Sequence, residues 1–141
     1  MAIETYADGS LFEGQFKKNL KHGYGNFNWK DGTTYSGHFV NDDMDGFGIF
    51  KWASGRVYEG DWLNGNMHGK GKLSYEDGSL YEGSFIDNLR EGHGVFMWSD
   101  GKIYDGPWLN NKQHGVAKLV ILGGNEVKAE FADGEKIRFF D

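Results

Sequence analysis

The chain has 141 residues, 38% apolar and 16% aromatic, with 23 glycines, one proline, no cysteine and a net charge of −6. This composition fits one soluble folded domain and excludes low-complexity disorder, disulfides, thiolate metal sites and a cysteine nucleophile. The negative balance argues against a broad footprint on nucleic-acid phosphates, so no nucleic-acid partner is expected. No run approaches the ~20 apolar residues of a membrane span. Met1-Ala2-Ile3-Glu4 lacks the basic flank and apolar core of a signal peptide, and a cytoplasmic protein is expected, with association to the cytoskeleton or a membrane as a further option.

In chain order, Tyr6-Ala7-Asp8-Gly9 matches the end of a repeating unit, and residues 1–10 read as an N-terminal half-unit and cap. An aromatic-X-Gly signature then recurs at Phe12/Gly14, Tyr35/Gly37, Tyr58/Gly60, Tyr81/Gly83 and Tyr104/Gly106, always 23 residues apart. The same step carries Gly23 to Gly46, Gly69, Gly92 and Gly115, so residues 11–125 hold five units without insertion. Residues 126–141 read as a C-terminal half-unit and cap. There Val127 to Phe131 matches the start of a unit with Ala129 in the glycine slot, and Ile137 to Phe140 forms a closing strand.

Each unit reads as two short strands with period-two alternation, joined by a turn. In the third unit Tyr58, Gly60 and Trp62 share one face, as do Gly71, Leu73 and Tyr75, with a turn at Asn64-Gly65-Asn66 and a link at Glu76-Asp77-Gly78-Ser79. Pairing Leu63 with Lys70 places Trp62 opposite Gly71, Gly60 opposite Leu73 and Tyr58 opposite Tyr75. The same register sets Phe16 against Gly25, Phe39 against Gly48 and Phe85 against Gly94, with Tyr35–Trp52 and Tyr81–Trp98 as aromatic pairs. The expectation is an all-β, elongated, single-layer antiparallel sheet of stacked hairpins, in which rings cover the space that glycines leave open. At ~4.8 Å per strand the ribbon is roughly 50 Å long or more.

A unit of the form Tyr-X-Gly-X-Trp/Phe, His-Gly-X-Gly-X-Phe/Leu-X-Trp/Tyr, Asp-Gly resembles the MORN repeat, with His68-Gly69-Lys70-Gly71 and Tyr81-Glu82-Gly83 as close matches. The resemblance covers Leu11 to Asn125 in full. It implies a module that contacts proteins or lipids, of the kind found in cytoskeletal and ciliary scaffolds, at membrane junctions, and beside kinase or methyltransferase domains in larger enzymes.

Catalytic chemistry finds no purchase. His22, His68 and His114 fill one slot in alternate units, roughly 19 Å apart, which one metal ion cannot bridge. Asn41-Asp42-Asp43-Met44-Asp45-Gly46 begins like a calcium loop, but its twelfth position is Trp52, where a bidentate glutamate is required. Glu13, Glu59, Glu82 and Asp105 recur in the outward slot and read as solvated. No phosphate-binding glycine loop or nucleophile elbow is present, so neither enzyme activity nor a cofactor or metal is expected.

Two surfaces remain. The aromatic ladder of Trp29, Trp52, Tyr58, Trp62, Tyr75, Tyr81, Trp98 and Trp108 offers a groove for a helix or extended peptide of a protein partner, since a one-layer sheet exposes part of this face. The opposite face carries a more broken apolar row of Val40, Ile49, Leu63, Val95 and Met97. One alternative is attachment to an anionic membrane through Lys17, Lys18 and Lys21, opposed by Asp42, Asp43 and Asp45, and another is a regulatory segment of a larger enzyme. Self-association through ribbon ends or flat faces is a further expectation.

Overall fold

A computed structural model describes residues 1–140, so only Asp141 of the C-terminal cap lies outside the described residues. Among these residues there are 14 strands and no helix: β1 (Ala2–Thr5), β2 (Leu11–Lys17), β3 (Leu20–Asn28), β4 (Thr34–Val40), β5 (Asp43–Lys51), β6 (Val57–Leu63), β7 (Asn66–Ser74), β8 (Leu80–Ile86), β9 (Leu89–Met97), β10 (Ile103–Leu109), β11 (Lys112–Gln113), β12 (Gly115–Val120), β13 (Glu126–Ala132) and β14 (Glu135–Phe140). They form one sheet in sequence order, every neighbour antiparallel, with short β11 continuing the pairing of β10 at the hairpin tip. The single-layer ribbon of stacked hairpins is therefore as the periodicity predicts.

The register within each hairpin differs from the expected one. Asn64 and Gly65 both take positive φ (49° and 83°), the two-residue turn whose twist matches the flanking strands. Leu63 consequently pairs with Asn66 rather than Lys70, and Trp62 with Met67 rather than Gly71. Beyond that the strands slip: Asp61 alone faces the three-residue stretch His68-Gly69-Lys70, after which Gly60 pairs with Gly71 and Tyr58 with Leu73. The bulge is made possible by Gly69 (φ 95°), a conformation that side chains disfavour. The residues expected to form an open loop thus extend the second strand to nine residues, and the His-Gly pair absorbs the mismatch.

The same correction applies along the array. Phe16 pairs with Lys21, Phe39 with Met44 and Phe85 with Arg90, while Tyr35 meets Phe50 and Tyr81 meets Phe96. Large side chains do face glycine, but across the seam between units: Gly23 opposite Phe39, Gly46 opposite Trp62, Gly69 opposite Phe85 and Gly92 opposite Trp108.

The mid-strand glycines of ordinary extended backbone pair with each other. From Gly14 through Gly25, Gly37, Gly48, Gly60, Gly71, Gly83 and Gly94 to Gly106 they form one unbroken row across the sheet, continued by Ala117 and Ala129. On this strip lie the rings of Phe12, Tyr35, Tyr58 and Tyr81, so close that a methyl group on Gly25, Gly48, Gly71 or Gly94 would overlap them. Each tyrosine reaches over to donate to the carbonyl of the residue facing the bulge: Tyr35 to His38 (2.9 Å), Tyr58 to Asp61 (2.8 Å), Tyr81 to Ser84 (2.8 Å) and Tyr104 to Pro107 (2.5 Å). A carbonyl displaced by the bulge is thereby satisfied by the ring that needs the glycine beneath it.

Successive units are tied at both margins. At the hairpin tips, the turns donate backbone N–H groups to the preceding unit, from Asp42 to Lys21 (2.9 Å), Gly65 to Met44 (2.8 Å), Asn88 to Met67 (3.0 Å) and Asn111 to Arg90 (2.9 Å). The Asp42 and Asn88 side chains return the bond by accepting from the Lys21 and Met67 N–H, both at 2.8 Å. At the links, Asp8, Asp31 and Asp77 accept from the N–H two residues on, which holds their carboxyls below the usual carboxylate range.

Candidate functional site: the aromatic face

On one side of the sheet the side chains form two tiers. The inner tier consists of Phe12, Tyr35, Tyr58, Tyr81 and Tyr104 with Phe39, Trp62, Phe85 and Trp108, all buried. Each inner ring meets its neighbour edge-on, as in Tyr58–Trp62 (centroids 5.1 Å) and Tyr58–Phe85 (5.2 Å), the geometry that ring quadrupoles favour. Trp62 and Trp108 extend Nε1–H groups to the carbonyls of Gly48 (3.3 Å) and Gly94 (3.1 Å), locking the third unit onto the second and the fifth onto the fourth. Burial removes water from the tyrosines and raises their pKa, to about 12 for Tyr104 and further for Tyr35, Tyr58 and Tyr81.

The outer tier is half-buried and nothing covers it. Along the link margin run Trp29, Trp52, Tyr75 and Trp98, backed by Phe27, Phe50, Leu73 and Phe96; along the tip margin stand Lys21, Met44, Met67, Arg90 and Gln113. Between the margins lie hollows. One of about 170 Å³ is lined by Trp29, Phe27, Phe39, Met44 and Lys21. A larger one of about 350 Å³, lined by Trp98, Leu119, Ile121, Phe131 and Phe139 among others, lies at the C-terminal end.

The sequence-predicted partner residues therefore divide. Trp29, Trp52, Tyr75 and Trp98 form the accessible margin. Tyr58 and Tyr81 (0% exposed), Trp62 (5%) and Trp108 (6%) belong instead to the floor, where they offer a partner no contact area. Alternation assigns all eight to one face but cannot rank their depth, which is set by which rings lie on the glycine strip. Alternation alone leaves Met44, Met67 and Arg90 in the loop between the strands; the Asn64-Gly65 turn is the signal that places them opposite the rings.

The three lysines do not form one patch. Lys17 pairs with Leu20 on the other face and Lys18 occupies the turn (φ 52°), whereas Lys21 folds over the rings of Tyr6, Phe12 and Phe27 with Nζ 3.9 Å from Glu4 and 3.8 Å from Asp42. Its side chain is 14% exposed and its charge is already matched.

On the opposite face Val40, Leu63 and Met97 are exposed and Ile49 and Val95 half-buried, interrupted by Glu59, Lys72 and Glu82. His93 and Asp105 make an unforeseen contact there (Nε2 to Oδ1, 2.7 Å) on open surface. Asp42 and Asp45, from the calcium-like run, are engaged with backbone N–H groups of Lys21 and Asn64. Among the described residues no three metal-ligating side chains converge.

No curated protein matches the chain. Among solved structures it is similar to the SAS-4 (dCPAP) TCP domain of Drosophila melanogaster, in complex with a proline-rich motif of Ana2 (dSTIL), at 14% identity and a TM-score of 0.48, covering 92% of this chain and 83% of that chain. The sequence profile of the MORN repeat matches residues 12–34, 35–55, 58–80, 81–103 and 104–121. With five consecutive copies spanning most of its length and a sheet built from the same unit, the chain belongs to the MORN-repeat family.

Proposed function

We propose that this protein is a non-enzymatic scaffold that docks a segment of a protein partner along the aromatic face. The observation that carries the reading is the uncovered outer tier, in which Trp29, Trp52, Tyr75 and Trp98 repeat at one per unit above a rigid buried floor. Aromatic side chains held in place lose little entropy on binding, and a contiguous apolar row of this kind marks interaction surfaces. A floor whose tyrosine hydroxyls and tryptophan N–H groups are held by hydrogen bonds also reduces reorganisation when a partner arrives.

The test is capture of partners from a cell extract by wild-type protein and by Trp29→Ala/Trp52→Ala, with Phe47→Ala on the opposite face as control. Loss of a specific partner in the first variant and its retention in the second supports docking on the aromatic face. Retention in both, with circular dichroism unchanged, refutes it.

A further inference from the structure

Lys21, Arg56 and Arg90 lie over rings of the aromatic face. Lys21 is matched by Glu4 and Asp42, and Arg56, stacked on Tyr75 (5.0 Å) and Trp52 (6.0 Å), is matched by Glu76 at 3.1 Å. Arg90 differs. Its guanidinium lies over Trp108 (4.7 Å), Phe96 (5.7 Å) and Tyr81 (5.9 Å), and among the described residues no carboxylate lies within ion-pair distance of it. Its hydrogen bonds go to Asn111 Oδ1 (2.7 Å), Asn111 O (3.0 Å) and, at 3.4 Å, the hydroxyl of Tyr75. A guanidinium has five N–H groups, so two remain for a ligand. Held flat among rings, it presents them in a fixed orientation suited to a carboxylate.

The repeat sets the spacing around it. Arg90 occupies the slot that Met67 and Met44 fill one and two units earlier; Met44 and Trp29 line one hollow, Arg90 reaches the Tyr75 hydroxyl, and the 23-residue step sets Met67 and Trp52 at the corresponding positions between them. One unit is two strands, ~9.6 Å. A polyproline II segment advances ~9.3 Å in three residues, whereas seven residues of helix advance ~10.5 Å and drift out of step over three units. A continuous β-strand alternates faces every residue and cannot present every third one.

Resting on the docking reading above, we infer that the occupant is a polyproline II segment with apolar side chains three residues apart and a carboxylate three residues beyond. The apolar pair seats in the Trp29/Met44 hollow and at the matching Trp52/Met67 positions one unit on, and the carboxylate pairs with Arg90. Arg90 thereby fixes the register of a ligand that the aromatic rows alone would let slide by one unit.

The probes are two peptides, one for each chain direction: Leu-Pro-Pro-Leu-Pro-Pro-Glu and Glu-Pro-Pro-Leu-Pro-Pro-Leu, each carrying fluorescein on the N-terminal amine through a Gly-Gly spacer, each amidated at the C-terminus, and each with a Gln version. Fluorescence anisotropy should show binding of one direction, with Glu→Gln weakening it at least about tenfold, equivalent to ~1.4 kcal/mol. Arg90→Met, which keeps apolar contact with Trp108, should bring the Glu and Gln peptides within about twofold of each other, and Arg90→Lys should restore part of the difference. Thermal melting confirms that both variants fold. If Glu and Gln peptides bind wild type equally while Trp52→Ala weakens both, the Arg90 pairing is overturned and docking on the aromatic face stands. If neither direction binds below about 1 mM, the polyproline II occupant is overturned, and partner capture by Trp29→Ala/Trp52→Ala separately decides the docking reading.

Discussion

Gly71→Ala isolates the reason this sheet needs glycine in mid-strand. Gly71 has an ordinary extended backbone, so alanine brings no conformational strain and in isolation would gain about 0.4–1 kcal/mol by restricting the unfolded chain. The methyl group, however, would overlap the hydroxyl and two ring carbons of Tyr58. Tyr58 cannot retreat, because Trp62 and Phe85 hold it edge-on from either side. Overpacking of this kind costs about 1–3 kcal/mol, and moving the ring adds about 1 kcal/mol for its bond to the Asp61 carbonyl. The net expectation is a loss of about 2–3 kcal/mol in urea unfolding followed by tryptophan fluorescence, falling by at least half when Gly71→Ala is made in a Tyr58→Leu background. A loss below about 0.5 kcal/mol in the wild-type background, or the same loss in both backgrounds, would refute the assignment of these glycines to ring seats.

Alkaline titration tests the tyrosine tier. These side chains are neutral when protonated and their folded pKa values exceed the ~10 of the unfolded chain, so their contribution is complete below pH 10 and is lost as pH rises towards the folded values, about 12 for Tyr104. Each adds up to about 1.4 kcal/mol of destabilisation per pH unit in that window, so Tyr35, Tyr58, Tyr81 and Tyr104 should ionise together with cooperative unfolding; phenolate absorbance rising near pH 10 for all seven tyrosines in a sheet still folded by circular dichroism would contradict this. Asn88→Ala removes the bonds to the Met67 N–H and to Asn66 Oδ1 and places alanine at a φ of 73°, and should lower stability by about 1–2 kcal/mol, whereas Asn88→Gly should cost less because it loses the bonds without the strain. Trp52→Ala should leave stability within about 1–2 kcal/mol of wild type, since the ring is half-buried, and Trp62→Ala should cost about 3–5 kcal/mol, both read by urea unfolding.

The repeat length, the all-β ribbon and the face assignment were legible because period-two alternation and a 23-residue step are local signals. Register was not. It hinged on reading Asn64-Gly65 as a complete turn and Gly69 as a bulge, and both follow from backbone conformations that composition only hints at. The error propagated into the site: with Met67 and Arg90 left in a loop, only the tryptophan and tyrosine side of the aromatic face was visible. Lys17, Lys18 and Lys21 looked like a cluster because they are close in sequence, yet the alternation of a strand and the turn between them send Lys17 and Lys21 to opposite faces. The tip ladder escaped notice because Asp42, Asn88 and Asn111 act on the preceding unit, and turn chemistry read one hairpin at a time cannot show a contact between hairpins.

The account stands on the aromatic face being the docking surface, and site-specific photo-crosslinking tests that most directly. A photoreactive phenylalanine analogue at position 52 or 75, on the outer tier, should capture the same partner segment at both positions, and one at position 47, on the opposite face, should capture none of it. Crosslinking of the partner from position 47 but from neither 52 nor 75 would place the partner on the other side of the sheet and contradict the account.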